Sequence, residues 1–165
     1  MDLPGHPFWD HSLELYSRPG VAESCLRLQD RLGLDINLLL YACWTAAEGA
    51  GRPSSGDWRR LVDETAAWRE QVVEPLRAVR RFLKDPPAVP GSAGLRERVK
   101  ALELEAEHAE QLAIAALAGP GVAAAGDALA TMLDYVGVLD IALSDADRSD
   151  LSAIASQVCE STGKM

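Results

Sequence analysis

The chain has 165 residues, 48% of them hydrophobic and 25% charged, and a formal net charge of −9. Length and apolar content suit one domain, residues 1–165, with a core of its own, and they exclude wholesale disorder. The acidity argues against general nucleic-acid binding, because phosphate would be repelled. The charge is uneven, however: −4 over residues 1–51, +4 over 52–100 and −9 over 101–165. The plain reading is that a basic middle faces acidic neighbours within one fold. A local acidic partner is the sharper one.

About seven helices and no strand are predicted, since Ala and Leu dominate and no alternating apolar run is bounded by turn residues. The first helix is expected over Pro7–Arg18, with Pro7 in its first turn. Pro19-Gly20 leads into a second, Val21–Leu32, stopped by Gly33. A third starts after Asp35 as N-cap and runs from Ile36 to about Gly49. It is apolar nearly all round and is therefore placed at the centre of the fold.

The fourth helix, Asp57–Lys84 with Asp57 as its expected N-cap, carries a stripe of Trp58, Leu61, Thr65, Trp68, Val72, Leu76, Val79 and Leu83. Pro75 lies inside it and should kink it without shifting the stripe. A loop over Asp85–Gly94 leads to a fifth helix, Leu95–Ala118, so these two form a long antiparallel hairpin. Its expected stripe is Leu95, Val99, Leu102, Ala106, Ala109, Leu112 and Ala116, which puts Glu103, Glu107 and Glu110 outside. Gly119-Pro120-Gly121 breaks the chain. A sixth helix is expected from Val122 or later to about Leu143, and a last one begins after Ser144, which resembles a capping box with Asp147, and runs to Glu160.

No targeting segment is expected, because the N-terminus is acidic and carries Pro4 and Pro7. Ile36–Ala47, the most apolar run, is much shorter than the ~20 residues of a membrane span. Cys25, Cys43 and Cys159 form no CxxC pair and sit in apolar helical contexts, as buried free thiols of a reducing, cytoplasmic compartment do.

Motifs for chemistry are few. Glu105-Ala106-Glu107-His108 has the Glu-x-x-His spacing of carboxylate-bridged metal bundles, but a second copy is missing, so no metal and no cofactor is expected. Asp145–Asp150 begins like a calcium loop, yet Asp150 stands where glycine is required and Ser156 where glutamate is. There is no nucleophile elbow and no phosphate loop. Arg77, Arg81 and Lys84 share a helix face and are expected to form an exposed basic ridge, a candidate docking surface for an acidic protein partner. Trp9, Trp44, Trp58 and Trp68, with Asp10 and Asn37, are the candidate lining of a pocket between the first, third and fourth helices.

Phe8-Trp9-Asp10-His11-Ser12-Leu13, Leu15-Tyr16, Arg18-Pro19-Gly20-Val21, Leu28-Gln29-Asp30 and Gly33–Leu40 together resemble the signature of a proteobacterial family of uncharacterised proteins. That family carries only a placeholder name for a domain of unknown function. Trp58 and the Val73–Lys84 segment, with Pro75-Leu76-Arg77 and Arg80, resemble it too, so the likeness covers about residues 8–118. It implies a bacterial cytosolic protein and no particular activity. The sequence thus points to an all-α, single-domain bundle with no membrane or nucleic-acid role. The expected function is a non-enzymatic protein-interaction module. The alternative is a small-molecule-binding or enzymatic domain, which a cavity gathering Asn37, Asp10 or Arg77 would favour.

Overall fold

The structure is a computed structural model that describes residues 2–118 and 126–162, with side chains as far as Val158. Its organising element is α3 (Ile36–Glu48). The Asp35 carboxylate caps α3 by accepting from the Asn37 backbone N–H, and Gly49 closes it in the left-handed conformation, φ 64°, that glycine adopts without strain. Between the caps, Leu38, Leu39, Leu40, Tyr41, Ala42 and Cys43 are all buried. Consecutive helical residues point around the axis in steps of about 100°, so no side of this run faces water and other helices must enclose it.

They do. α1 (Pro7–Tyr16), α6 (Ser92–Leu117), α7 (Ala128–Val138) and α8 (Asp145–Thr162) pack directly on α3. α2 (Val21–Leu32) lies against α8 and α1, and α4 (Ser55–Trp68) against α6 and α7. The fold is an all-α bundle, without strand among the described residues. No helix among them is long and apolar enough to cross a membrane. At the α2–α8 contact Arg31 Nε donates to Asp147 at 2.8 Å and Arg27 Nη2 to Asp150 at 2.7 Å.

Several ends differ from expectation. α1 stops at Tyr16, and its N-cap is His6, whose Nδ1 accepts from the Phe8 N–H. Asp57 is not the cap of α4. Ser54 is, with Asp57 three residues on completing a reciprocal box: Ser54 Oγ accepts from the Asp57 N–H at 3.1 Å and Asp57 Oδ2 from the Ser54 N–H at 2.9 Å. Ser144 and Asp147 form the expected box in the same way. α6 begins at Ser92, three residues early. α7 is capped by Asp127 and ends at Val138; the expected break at Gly119-Pro120-Gly121 and start at Val122 lie outside the described residues.

The largest departure follows α4. The chain widens into a π turn over Arg69–Val73 before resuming as α5 (Glu74–Phe82), and the Glu74 N–H bonds five residues back to the Arg69 carbonyl. Pro75 has no N–H to give and would press on the Gln71 carbonyl in a regular helix. The wider turn absorbs one extra residue and advances everything after it by about one position around the axis. The expected stripe therefore loses its phase. Val73, off the expected stripe, is buried and Val79, on it, is exposed, while Leu83 stays buried as expected. Arg77 and Arg80 turn inward to α6 and bond Glu103 and Glu107. α6 answers in kind: Glu103 and Glu110 are buried while Leu102, expected inside, is 51% exposed.

The packing makes a direct prediction. Leu39 is fully buried in α3, so Leu39→Ala should cost about 2–5 kcal/mol of stability. Urea denaturation of the two proteins measures it, and an unchanged midpoint would contradict the enclosed position of α3.

Candidate functional site

One face of α6 and one face of α1 form the walls of a cleft. Lys100, Glu103, Leu104, Glu107 and Gln111 line it from α6, and Trp9, Ser12, Leu13 and Tyr16 from α1. Both sets step by three and four residues, the spacing of a single helical face. α2 adds Leu26 and Gln29, α3 adds Ile36, Asn37 and Leu40, and α5 adds Arg77 and Arg80. The cavity measures about 370 Å³, within the ~300–1,000 Å³ range of small-molecule sites.

Its floor is a chain of hydrogen bonds that crosses three helices. Ser12 Oγ donates to Gln111 Oε1 at 2.9 Å, Gln111 Nε2 to Asn37 Oδ1 at 2.9 Å, and Asn37 Nδ2 to Glu110 Oε2 at 2.8 Å. All four side chains are buried. Next to this uncharged floor stands a charged wall. Arg77 Nη2 donates to Glu107 at 2.9 Å and Arg77 Nε to Glu103 at 3.3 Å, while Arg80 holds Glu103 through both Nε and Nη2. Arg77 on Glu107 and Arg80 on Glu103 are the pairs of an antiparallel hairpin.

Burial and neighbours reset the acids. Glu110, 1% exposed, has its carboxyl pKa pushed up to about 9 by loss of solvent first, then by the adjacent Asp35. Two carboxyl groups in one dry site keep a proton rather than hold two charges. Burial also raises the Glu107 carboxyl, against the lowering pull of Arg77. The Tyr16 phenol is raised to about 12 by burial, then by Cys25 and Glu107, so it is a neutral hydrogen-bonding group at the cleft wall.

The six residues expected to line a pocket do not converge. Trp9 and Asn37 belong to the cleft. Trp58 is fully buried against Tyr41 and Tyr135, and Trp44 packs on Phe8 and Tyr41. Trp68 lies on the surface, its Nε1–H bonded to the Ala106 carbonyl. Asp10 is exposed outside the cleft. The expected basic ridge is split. Arg77 is drawn into the cleft wall by the π turn, Arg81 is exposed and pairs with Asp30 at 2.9 Å, and Lys84 is exposed.

Gln111 and Lys100 escaped sequence reasoning, Ser12 and Arg80 entered it through the family resemblance, and the inward glutamates were expected outside. The signal for them was present as the complementary charge of residues 52–100 and 101–165, which the Arg–Glu wall satisfies in part. A second depression, of about 550 Å³, lies between Arg52–Ser55 and α7. There Arg52 is paired with Asp134 and Ser54 with Asp57, and Ser55 and Arg59 also line it. Among the described residues no three His, Cys, Asp or Glu side chains are grouped to hold a metal ion.

The model of the family described as "Protein of unknown function (DUF2390)" matches residues 7–114, a span that contains every residue of the cleft. No curated protein and no solved structure matches the chain.

The Glu110 carboxyl yields a pH prediction. Its folded-state pKa, about 9, lies above the 4.5 of an ordinary glutamate. Stability from the bound proton is therefore complete below about pH 4.5 and drains away as pH rises toward 9. Glu110→Gln keeps a neutral group of the same shape. Its stability relative to the parent should grow between pH 5 and pH 8.5 in urea titrations, and a gap constant with pH would contradict the assignment.

Proposed function

The chain belongs to the DUF2390 family, and we propose that this member is a helical domain that binds a small molecule in the cleft between the α5–α6 hairpin and α1–α3. One observation carries the reading. Leu13, Tyr16, Leu26 and Leu104 are large apolar side chains left exposed, they come from three different helices, and all four border the same cavity. Apolar groups gathered around a hollow whose Ser12, Gln111 and Asn37 side chains are bonded to one another have no folding role that an ordinary core would not serve better. Such a patch marks a binding surface. Asn37 and Arg77, whose convergence on one cavity favours a small-molecule site, both line it.

Cytoplasmic residence belongs to the same proposal. Cys25 and Cys43 are buried free thiols, and burial raises the Cys25 thiol to about 12, which leaves it inert. An acidic protein partner is a second reading. It is favoured by Arg81 and Lys84 flanking Phe82, which is 64% exposed near the tip of the hairpin. Changing Arg81 and Lys84 to Glu should then abolish binding of such a partner without altering the melt, and retained binding would remove this reading.

The cleft is tested by thermal shift against a panel of small amphiphilic compounds. A ligand at 100 times its Kd stabilises by ~2.7 kcal/mol, or roughly 5–10 °C for a domain of this size. Leu26→Trp, at the exposed rim, should fold normally and abolish the shift. No shift from any compound, or an equal shift in Leu26→Trp, would refute the cleft as the binding site.

A further inference from the structure

We propose that the ligand is a single-chain anionic amphiphile, with its carboxylate or phosphate head beside Lys100 and Arg80 and its apolar chain directed toward Asn37. The proposal rests on the cleft being a binding site, and it adds the chemical class and orientation of what binds there.

The argument begins with polarity along the cleft. Lys100 and Gln111 lie about 16 Å apart along α6 at ~1.5 Å per residue. The Gln111 end is uncharged, and its amides are engaged by Ser12, Asn37 and Glu110. The Lys100 end is charged. Three cations line the cleft, Arg77, Arg80 and Lys100, against two carboxylates, Glu103 and Glu107. Arg77 and Arg80 are both held by those carboxylates. Lys100, one turn before Glu103, has no ion pair or hydrogen bond among the described residues and is exposed. One positive charge is left over, and it stands at one end.

A cationic head would meet like charge at the Lys100 end and no charge to pair with at the Gln111 end. An anionic head finds complementarity only at the Lys100 end, because the far end offers no charge. Leu13, Leu26, Leu40 and Leu104 border the same cavity and give an apolar wall for a chain. The volume, about 370 Å³, is near the bottom of the range for ligand sites and suits one chain rather than two. The net charge of −9 does not oppose this, since fields from exposed distant charges are screened beyond ~8 Å at physiological salt.

Isothermal titration calorimetry of the full chain, below micellar concentrations, tests the proposal with four probes of equal chain length: decanoate, decyl phosphate, decyl glucoside and decyltrimethylammonium. Decanoate or decyl phosphate should bind at least about tenfold tighter than the glucoside, and whichever is tighter identifies the head group. The ammonium probe should bind weakest. Affinity should rise about fourfold per methylene from octanoate to decanoate. Lys100→Glu, at an exposed position without partners, should fold normally, weaken the anions about tenfold or more and leave glucoside binding within about twofold. Equal binding of all four probes, or decanoate affinity unchanged in Lys100→Glu, would overturn the anionic assignment while the cleft remains a binding site. No binding by any probe would overturn both.

Discussion

The side-chain amide of Asn37 is the constraint on which the rest of the arrangement turns. α3 is the helix on which α1, α6, α7 and α8 pack, and in its first turn it carries a buried polar group. A primary amide left unpaired in a dry interior costs several kcal/mol. α6 satisfies it from two adjacent positions, Gln111 on the amide oxygen and Glu110 on the amide nitrogen. A two-point tie of this kind fixes both the register and the rotation of α6 against α3. Ser12 extends the tie to α1 through the other side of Gln111. Once α6 is set, the Arg77–Glu107 and Arg80–Glu103 pairs set α5, and the hairpin stands off from α1 and α2 at a fixed distance. The cleft is what remains between them.

The charged wall is better understood as positioning than as stabilisation. Taking a guanidinium and a carboxylate out of water costs about what their attraction returns, whereas removing one partner strands the other. The Arg77, Arg80, Glu103 and Glu107 set thus specifies one hairpin register over neighbouring ones, because any slip along α6 would leave Glu103 buried without a cation. Its location follows from Pro75. Without the π turn that accommodates proline, the apolar side of α5 would face α6, and the arginines would lie outside as the sequence periodicity expects.

What the sequence reveals here divides by the range of the interaction. Asp35 and Gly49 at the ends of α3, the Ser144–Asp147 box and the enclosure of α3 were legible, because each depends on a few adjacent residues whose local chemistry is decisive. The face of α6 was not. Leu102 and Leu95 make a plausible apolar stripe, and acids are ordinarily placed in water. Only partners from other helices, Arg80 for Glu103 and Asn37 for Glu110, reverse that choice. Pro75 announced a distortion, but whether a helix bends or inserts a residue depends on what the following turn can pack against. Of the cleft, Asn37 was visible as a polar residue in an apolar run. Trp9 was visible only as one of four tryptophans, three of which serve the core or the surface.

The protonation of Glu110 ties this polar architecture to the kind of molecule the cleft can hold. Glu110 sits behind Asn37 and Gln111, one layer beneath the floor. Were it ionised, a negative charge would lie in low dielectric directly below the cleft, where screening is weak and Coulomb energies are large. Burial and the neighbouring Asp35 instead keep its proton on at neutral pH. The floor is therefore a chain of neutral dipoles, and the net charge of the lining is decided by the five residues of the wall, among which Lys100 alone lacks a partner in the described structure. The same proton that lets Asn37 be satisfied without a second buried charge beside Asp35 thus leaves the electrostatic character of the cleft wall to one exposed lysine.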